Sequence, residues 1–188
     1  MTIATPSARE RLVEVASRLF YAEGVHAVGV DRVIAEASVA KATLYAHFAS
    51  KDELVAAYLE RQSTWWAAAV NERADTDGDR LAAVLAPFDV LADRAASPGY
   101  RGCPFINAAA EFPGPGPVAD QISRHRQRVR DTFADLIGGT SQNRDLIDIL
   151  VALYDGAMAG AYLDRDPRIV RTARQAGEIL LRRATARD

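Results

Sequence analysis

The sequence predicts an all-α protein, and three observations carry that prediction. Apolar residues recur at helical spacing in one stretch after another, from Leu12, Ala16, Leu19 and Phe20 to Ile169, Val170, Ala173, Ala176, Ile179 and Leu180. Ser7 with Glu10, and Ser50 with Glu53, have the spacing of capping boxes and mark two helix starts. Between them, Val30 to Phe48 (VDRVIAEASVAKATLYAHF) reads as two short helices joined by a tight turn at Ser38-Val39.

Composition bounds what such a chain does. Its 188 residues suit one large domain, or a small one joined to a larger one, and 49% apolar content supplies a real core. The formal net charge of −2 offers no argument for nucleic acid as a partner. A local window does: no acid occurs between Glu36 and Asp52, where Lys41, His47 and Lys51 do. Cys103 is the only cysteine, so no intramolecular disulfide forms and nothing points to an oxidising compartment. The N-terminus, MTIATPSARER, lacks the basic and apolar regions of a signal peptide. The longest apolar run is interrupted by Asp148 and Asp155, so no membrane span is expected. The expectation is a cytoplasmic, soluble protein.

Taken in order, residues Met1–Pro6 read as a loose arm before a first helix that Gly24 ends. Gly29 opens the second helix, with Val33, Ile34 and Ala37 at helical spacing. In the third, Ala40 to Phe48, the residues Ala40, Leu44 and Phe48 share one face and point into a core. The opposite face centres on Ala42 and Ala46, with Lys41 and Tyr45 on one flank and Thr43 and His47 on the other. A helix that enters the major groove of DNA needs this layout, because small residues let the backbone sink towards the bases while longer polar flanks reach phosphates. A fourth helix from Lys51 to about Glu72 carries Trp65 and Trp66, one expected to face a core or pocket and the other partly exposed. Pro87 inside a fifth helix, about Arg80 to Ala96, predicts a kink or break. After a turn-rich loop, Phe105–Phe112 forms a short helix, closed by Pro113-Gly-Pro-Gly-Pro117. A basic helix follows from Pro117 to Gly138-Gly139. The last two, Asn143 to about Asp164 and Pro167 to about Ala184, carry more apolar surface than one domain covers, which reads as a dimer interface.

The run LFYAEGVHAVGVDRVIAEASVAKATLYAHFASKDEL resembles the N-terminal DNA-binding domain of TetR-type transcriptional regulators, through Leu19-Phe20, Gly24, Val39, Thr43-Leu44-Tyr45, His47-Phe48, Lys51 and Leu54. The resemblance covers about the first third of the chain and continues through the helices on either side of the helix-turn-helix. It implies a homodimer that binds double-stranded DNA at a palindromic operator, is released by a small-molecule effector, and dimerises through a four-helix interface. The implied organisation is a helix-turn-helix DNA-binding domain over 1–50 and a ligand-binding and dimerisation domain over 51–188. Ser38, Ala40 and Ala42 depart from the family's pattern, at a turn glycine, a capping serine and a helix glycine respectively. If the turn needs positive φ, Ser38 bears roughly 1 kcal/mol of strain.

The candidate DNA contacts are Lys41, Ala42, Thr43, Tyr45, His47 and Lys51. For Lys51 a solvated lysine and a phosphate ligand at a helix N-terminus both fit the residues, and the resemblance favours the phosphate. Candidate pocket walls are Trp65, Trp66, Phe88, Phe105, Phe112, Phe133 and Met158, with Asn107, Glu111, His125 and Tyr154 as polar anchors. Candidate dimer residues are Leu150, Tyr154, Gly156, Ala157, Gly160, Ala161, Ala173, Ala176 and Leu180. Gly156 and Gly160 lie on one side of their helix, where they admit a close neighbour, face the protein's own core or mark a bend. Cys103 reads as a packing residue. His125 has no second ligand at helical spacing, so neither a metal nor a cofactor is expected. A helical enzyme would have only Cys103, Glu111 and His125 to work with, and no catalytic motif joins them. A ligand-binding helical dimer without DNA binding is the remaining alternative.

Overall fold

The computed structural model describes residues 6–75, 78–138 and 144–185, and every regular element among them is a helix. In chain order these are α1 (Ala8–Glu23), α2 (Val30–Ala37), α3 (Lys41–His47), α4 (Lys51–Ala74), α5 (Arg80–Ala96), α6 (Pro104–Glu111), α7 (Pro117–Ile137), α8 (Arg144–Leu163) and α9 (Arg168–Thr185). Most of the expected N-terminal arm, Gly139 at the end of the basic helix and Asn143 at the start of the next lie outside the described residues. The chain forms two compact units, Met1–Ser63 with Pro104–Arg124, and Thr64–Cys103 with His125–Asp188. The expected boundary at residue 50 falls at the start of α4, whereas the units divide between Ser63 and Thr64 and the first takes in α6.

In the first unit, α1 begins with a complete capping box. Ser7 Oγ accepts from the Glu10 N–H at 3.2 Å, and the Glu10 carboxylate accepts from the Ser7 N–H at 2.7 Å. One face of α1 buries Leu12, Val13, Ala16, Leu19 and Phe20, and α1, α2 and α3 pack on one another. Arg11 ties α1 to α2, donating from Nε to the Ala37 carbonyl at 3.3 Å. Gly24, at φ 94°, ends α1 in a conformation that a side chain would strain. Ser38 ends α2 in the left-handed region, at φ 52° and ψ 51°, so the turn does require positive φ and a non-glycine supplies it.

Ala40 differs from expectation. It caps α3 from an extended conformation and is exposed, so Leu44 and Phe48 alone anchor the helix, both almost wholly buried. Ser50 Oγ accepts from the Glu53 N–H at 3.2 Å, but the Glu53 carboxylate reaches past Ser50 to accept from the Ala49 N–H at 2.7 Å.

The second unit is organised around aromatic rings. Tyr154 meets Phe88 at 5.7 Å and Phe133 at 6.2 Å, both edge-on, and its hydroxyl accepts from the Trp66 indole N–H at 3.0 Å. Helices α5, α8 and α9 pack together around this cluster. The expected kink or break at Pro87 is no break: α5 runs through a buried Pro87 as one helix, started by Asp79, whose carboxylate accepts from the Ala82 N–H at 3.0 Å. The expectation of no membrane-length apolar run also needs correction, because α8 has 20 residues and contains an 18-residue stretch of mean hydropathy 1.5. That helix buries Leu150, Val151, Tyr154, Ala157, Met158 and Ala161 inside the unit, and its Asp148 and Asp155 pair with Arg130 and Arg126 of α7.

Candidate nucleic-acid interface

Seven residues make α3 too short to be stable alone, so packing must hold it. Leu44 and Phe48 provide that packing, and their burial leaves Lys41, Ala42, Tyr45, Ala46 and His47 exposed, with Thr43 half-buried. Tyr45 is 48% exposed, high for a ring of that size. This is the arrangement read from the sequence: a shallow alanine strip between longer polar residues.

The surroundings are less free of acid than the linear window suggested. Asp31, in the first turn of α2, folds beside the start of α3, and its carboxylate lies 3.0 Å from Lys41 Nζ. That hydrogen bond holds the Lys41 ammonium above the ordinary lysine pKa. Both partners are largely exposed, so DNA phosphate can compete for the lysine at little cost. Arg32 is engaged more fully, by Glu23 at 2.6 Å and Glu36 at 2.9 Å, and Arg18 also pairs with Glu36. Arg9 extends over the Phe48 ring at 5.3 Å from its centroid.

Lys51 opens α4 and is half-buried, with its Nζ 6.0 Å from the centroid of the Phe20 ring. Burial lowers its pKa, against the opposing charges of Glu111 and Asp52. Sequence reasoning missed Asp31 and Arg9 here. The window of acid-free residues was counted along the chain, whereas the turn at Ser38 brings α2 back against α3.

The candidate ligand residues fall in both units. Trp66, Phe88, Phe133, Tyr154, His125 and Met158 lie in the second, where all six are buried. His125 meets Trp66 edge-on at 5.5 Å, and burial, helped by Arg128 and Arg126, pushes its pKa down to about 4. The Met158 carbonyl accepts from the Tyr100 hydroxyl at 3.0 Å. Trp65 points out instead, 47% exposed under the Arg94 guanidinium, and lines a cavity of about 520 Å3 with Glu72, Arg73, Val90 and Asp93. Phe105, Asn107, Glu111 and Phe112 belong to the first unit. There Phe105 is buried, while Phe112 stacks on the His26 ring at 5.0 Å. Both Glu111 carboxylate oxygens accept backbone N–H groups, from Val25 at 3.1 Å and from His26 at 2.5 Å.

Of the candidate dimer residues, Leu150, Tyr154, Ala157 and Ala161 are buried within this chain, and Ala173, Ala176 and Leu180 are half-buried. The two glycines part company. A Cβ on Gly160 would meet Ile169 of α9 at 3.2 Å, whereas one on Gly156 would meet nothing within 4 Å. Gly156 shares the outer side of α8 with Ile149, Ala152 and Leu163, all exposed. Ile179 of α9 is exposed as well.

Comparison with known proteins agrees with this geometry. Residues 12–58 match the family described as bacterial regulatory proteins, tetR family, and residues 78–177 match the tetracyclin repressor-like C-terminal domain. The crystal structure of SCO4454, a TetR-family transcriptional regulator from Streptomyces coelicolor, superposes with a TM-score of 0.84 at 40% identity, covering 93% of this chain and 94% of that one. A TetR transcriptional regulator from Legionella pneumophila shares the fold, with a TM-score of 0.79 at 18% identity over 96% of this chain and 99% of that one. The HTH-type transcriptional activator FasR of Mycolicibacterium smegmatis is 36% identical over 137 residues, 71% of this chain. The match spans 60% of the length of that relative.

Proposed function

This chain belongs to the TetR family of bacterial transcriptional regulators, and from that premise we propose that it binds a two-fold DNA operator as a homodimer and is released by a small molecule. Proteins of this family are DNA-binding regulators rather than enzymes; they act as dimers and respond to small-molecule effectors. The observation that carries the reading is α3 itself. It keeps Leu44 and Phe48 inside and presents Lys41, Ala42, Tyr45 and His47 outside. In the proposed complex this face lies in the major groove, Lys41 reaches a base edge or a phosphate after leaving Asp31, and Lys51 meets phosphate at the start of α4. The left-handed backbone at Ser38 supports the same reading, because the turn between the two helices keeps its geometry although serine stands where the family's pattern has glycine.

One recognition helix covers half of a two-fold site, and two must lie about 34 Å apart to enter successive major grooves. The proposed dimer face is the outer side of α8 and α9, with Ile149, Ala152, Gly156, Leu163 and Ile179, since those side chains remain exposed in one copy. The proposed effector site is apolar and aromatic and draws on the residues around Trp66, Phe88 and Tyr154, with His125 as a neutral polar group. Effector binding lowers DNA affinity by altering the separation of the two recognition helices. Repression follows when the operator overlaps a promoter. Activation is the second reading, favoured by the name of the relative from Mycolicibacterium smegmatis.

In vitro selection of duplexes by the intact protein, followed by mobility shift, tests the core of the reading. A palindromic consensus is expected, and Tyr45→Ala should lose affinity for it. Selection that enriches no sequence, with a protein that is dimeric in sedimentation, would leave a dimer that does not read DNA.

A further inference from the structure

Residues 104–124 lie far along the chain from the helix-turn-helix, yet they belong to the same compact unit. The contact that joins them is specific. Glu111, the last residue of α6, accepts from the backbone N–H groups of Val25 and His26 with its two carboxylate oxygens, at 3.1 and 2.5 Å. The His26 ring nitrogen Nε2 lies 2.9 Å from the Glu111 carbonyl oxygen, and the ring stacks on Phe112 at 5.0 Å. A Cβ on Gly24 would touch the Glu111 carboxylate at 3.4 Å, so the glycine gives that carboxylate room.

The segment so held leads directly into the reading helices. Val25 and Val28 are buried, and Val28 is followed within two residues by the start of α2. Gly29, the N-cap of α2, makes no side-chain capping bond, so the course of this loop sets where α2 begins. Helix α2 packs on α3, and its Asp31 pairs with Lys41. A carboxylate that accepts two adjacent backbone N–H groups is a strong, directional anchor. The hydrogen bonds of Glu111 go to Val25 and His26 rather than to the exposed α3 face, and its charge also acts on Lys51 at the start of α4.

We propose that Glu111 is a positioning residue for DNA binding, fixing the loop Gly24–Gly29 and through it the seat of α2 and α3, so that α6 is functionally part of the DNA-reading unit. The inference rests on the DNA-binding reading above. It assigns Glu111 to that unit and away from ligand contact. It also gives His26 and Phe112 a purpose, as the ring pair that holds the carboxylate against the loop.

The test uses the full chain and a duplex selected by the wild-type protein, with a scrambled duplex as control. Glu111→Ala should weaken the selected duplex at least fivefold while scrambled binding does not weaken, since the lost carboxylate lies near Lys51 and its removal takes away no phosphate contact. A general loss of folded protein would lower both duplexes together. Glu111→Gln keeps the side-chain length and one acceptor oxygen. Its Val25 and His26 amides should exchange with solvent faster, while those inside α1 and α3 do not change. A loss below fivefold, an equal loss on both duplexes, or unchanged exchange at Val25 and His26 overturns the assignment. If the wild-type protein selects no duplex, the DNA-binding reading fails first and takes this inference with it.

Discussion

Helices α3 and α8 spend their apolar residues differently. In α3 Leu44 and the capping Phe48 are buried, and nearly everything else faces outwards. In α8 six residues, Leu150, Val151, Tyr154, Ala157, Met158 and Ala161, are buried in one chain, and a second apolar strip of Ile149, Ala152, Gly156 and Leu163 is left over. The short helix holds on with the fewest anchors that fix it and leaves its polar residues free to bind. The long helix is apolar on both sides because each side is to be covered, one by its own unit and the other, in the proposed assembly, by a second copy.

The contrast is broken most severely in the aromatic core. Phe133→Ala should cost about 3–5 kcal/mol in urea unfolding, since a wholly buried ring contacting Phe88 and Tyr154 leaves a cavity. A cost under 1 kcal/mol would mean that this core is far looser than its ring contacts imply. Next is pH. The folded pKa of His125 is depressed to about 4, mainly by burial, so the unfolded chain binds its proton more readily between about pH 4 and 6.5. Stability from this group is therefore complete above pH 6.5 and falls as acid is added, by roughly 2–3 kcal/mol at pH 4. His125→Gln should flatten that part of the stability profile, measured as the difference between pH 7.5 and pH 5; an unchanged slope would refute the assignment.

Smaller effects lie in the reading unit. Ser38→Gly should raise stability by about 1 kcal/mol, because glycine adopts the left-handed turn without strain. A lower melting temperature in that variant would show that the serine side chain does something the backbone geometry does not require. Lys51→Ala should weaken all duplexes alike and make the salt slope shallower by about one unit. A change in preferred base pairs would refute a phosphate-only role. Least of all, Asp31→Ala should leave the melting temperature nearly unchanged, as befits an exposed ion pair, and tighten DNA binding by releasing Lys41. Weaker binding would show that Asp31 orients the lysine rather than competing for it.

Helix order and most boundaries were legible in the sequence because their signals are local. Ser7 and Glu10, Gly24 and Pro117 act within a turn of themselves, and the structure places helix ends at or beside each. The exposed strip of α3 was legible for the same reason, as a periodicity of 3.6. Contacts between distant segments were not. Nothing near Val25 announces a carboxylate at residue 111, and the motif that names α3 gives no hint that Asp31 would share its lysine. The sides of α8 were legible only in sum. Its apolar excess was plain, but Gly160 faces Ile169 while Gly156 faces outwards, a choice made by how α9 packs.

The bonds from Glu111 to Val25 and His26 span 86 and 85 residues of chain. A ribosome therefore finishes α1–α3 well before the segment that completes their unit has emerged. At about 5–20 residues per second, the interval between Ser63 and Arg124 is roughly 3–12 s. During it the nascent reading helices are exposed without their last anchor, within reach of proteases, chaperones and the nascent chains of neighbouring ribosomes. Stalled chains ending about 40 residues beyond Ser63, enough to clear the exit tunnel by order of magnitude, should be cleaved near Gly24 by a protease that spares chains extended about 40 residues beyond Arg124. Equal resistance in the two would mean that the three helices close without α6.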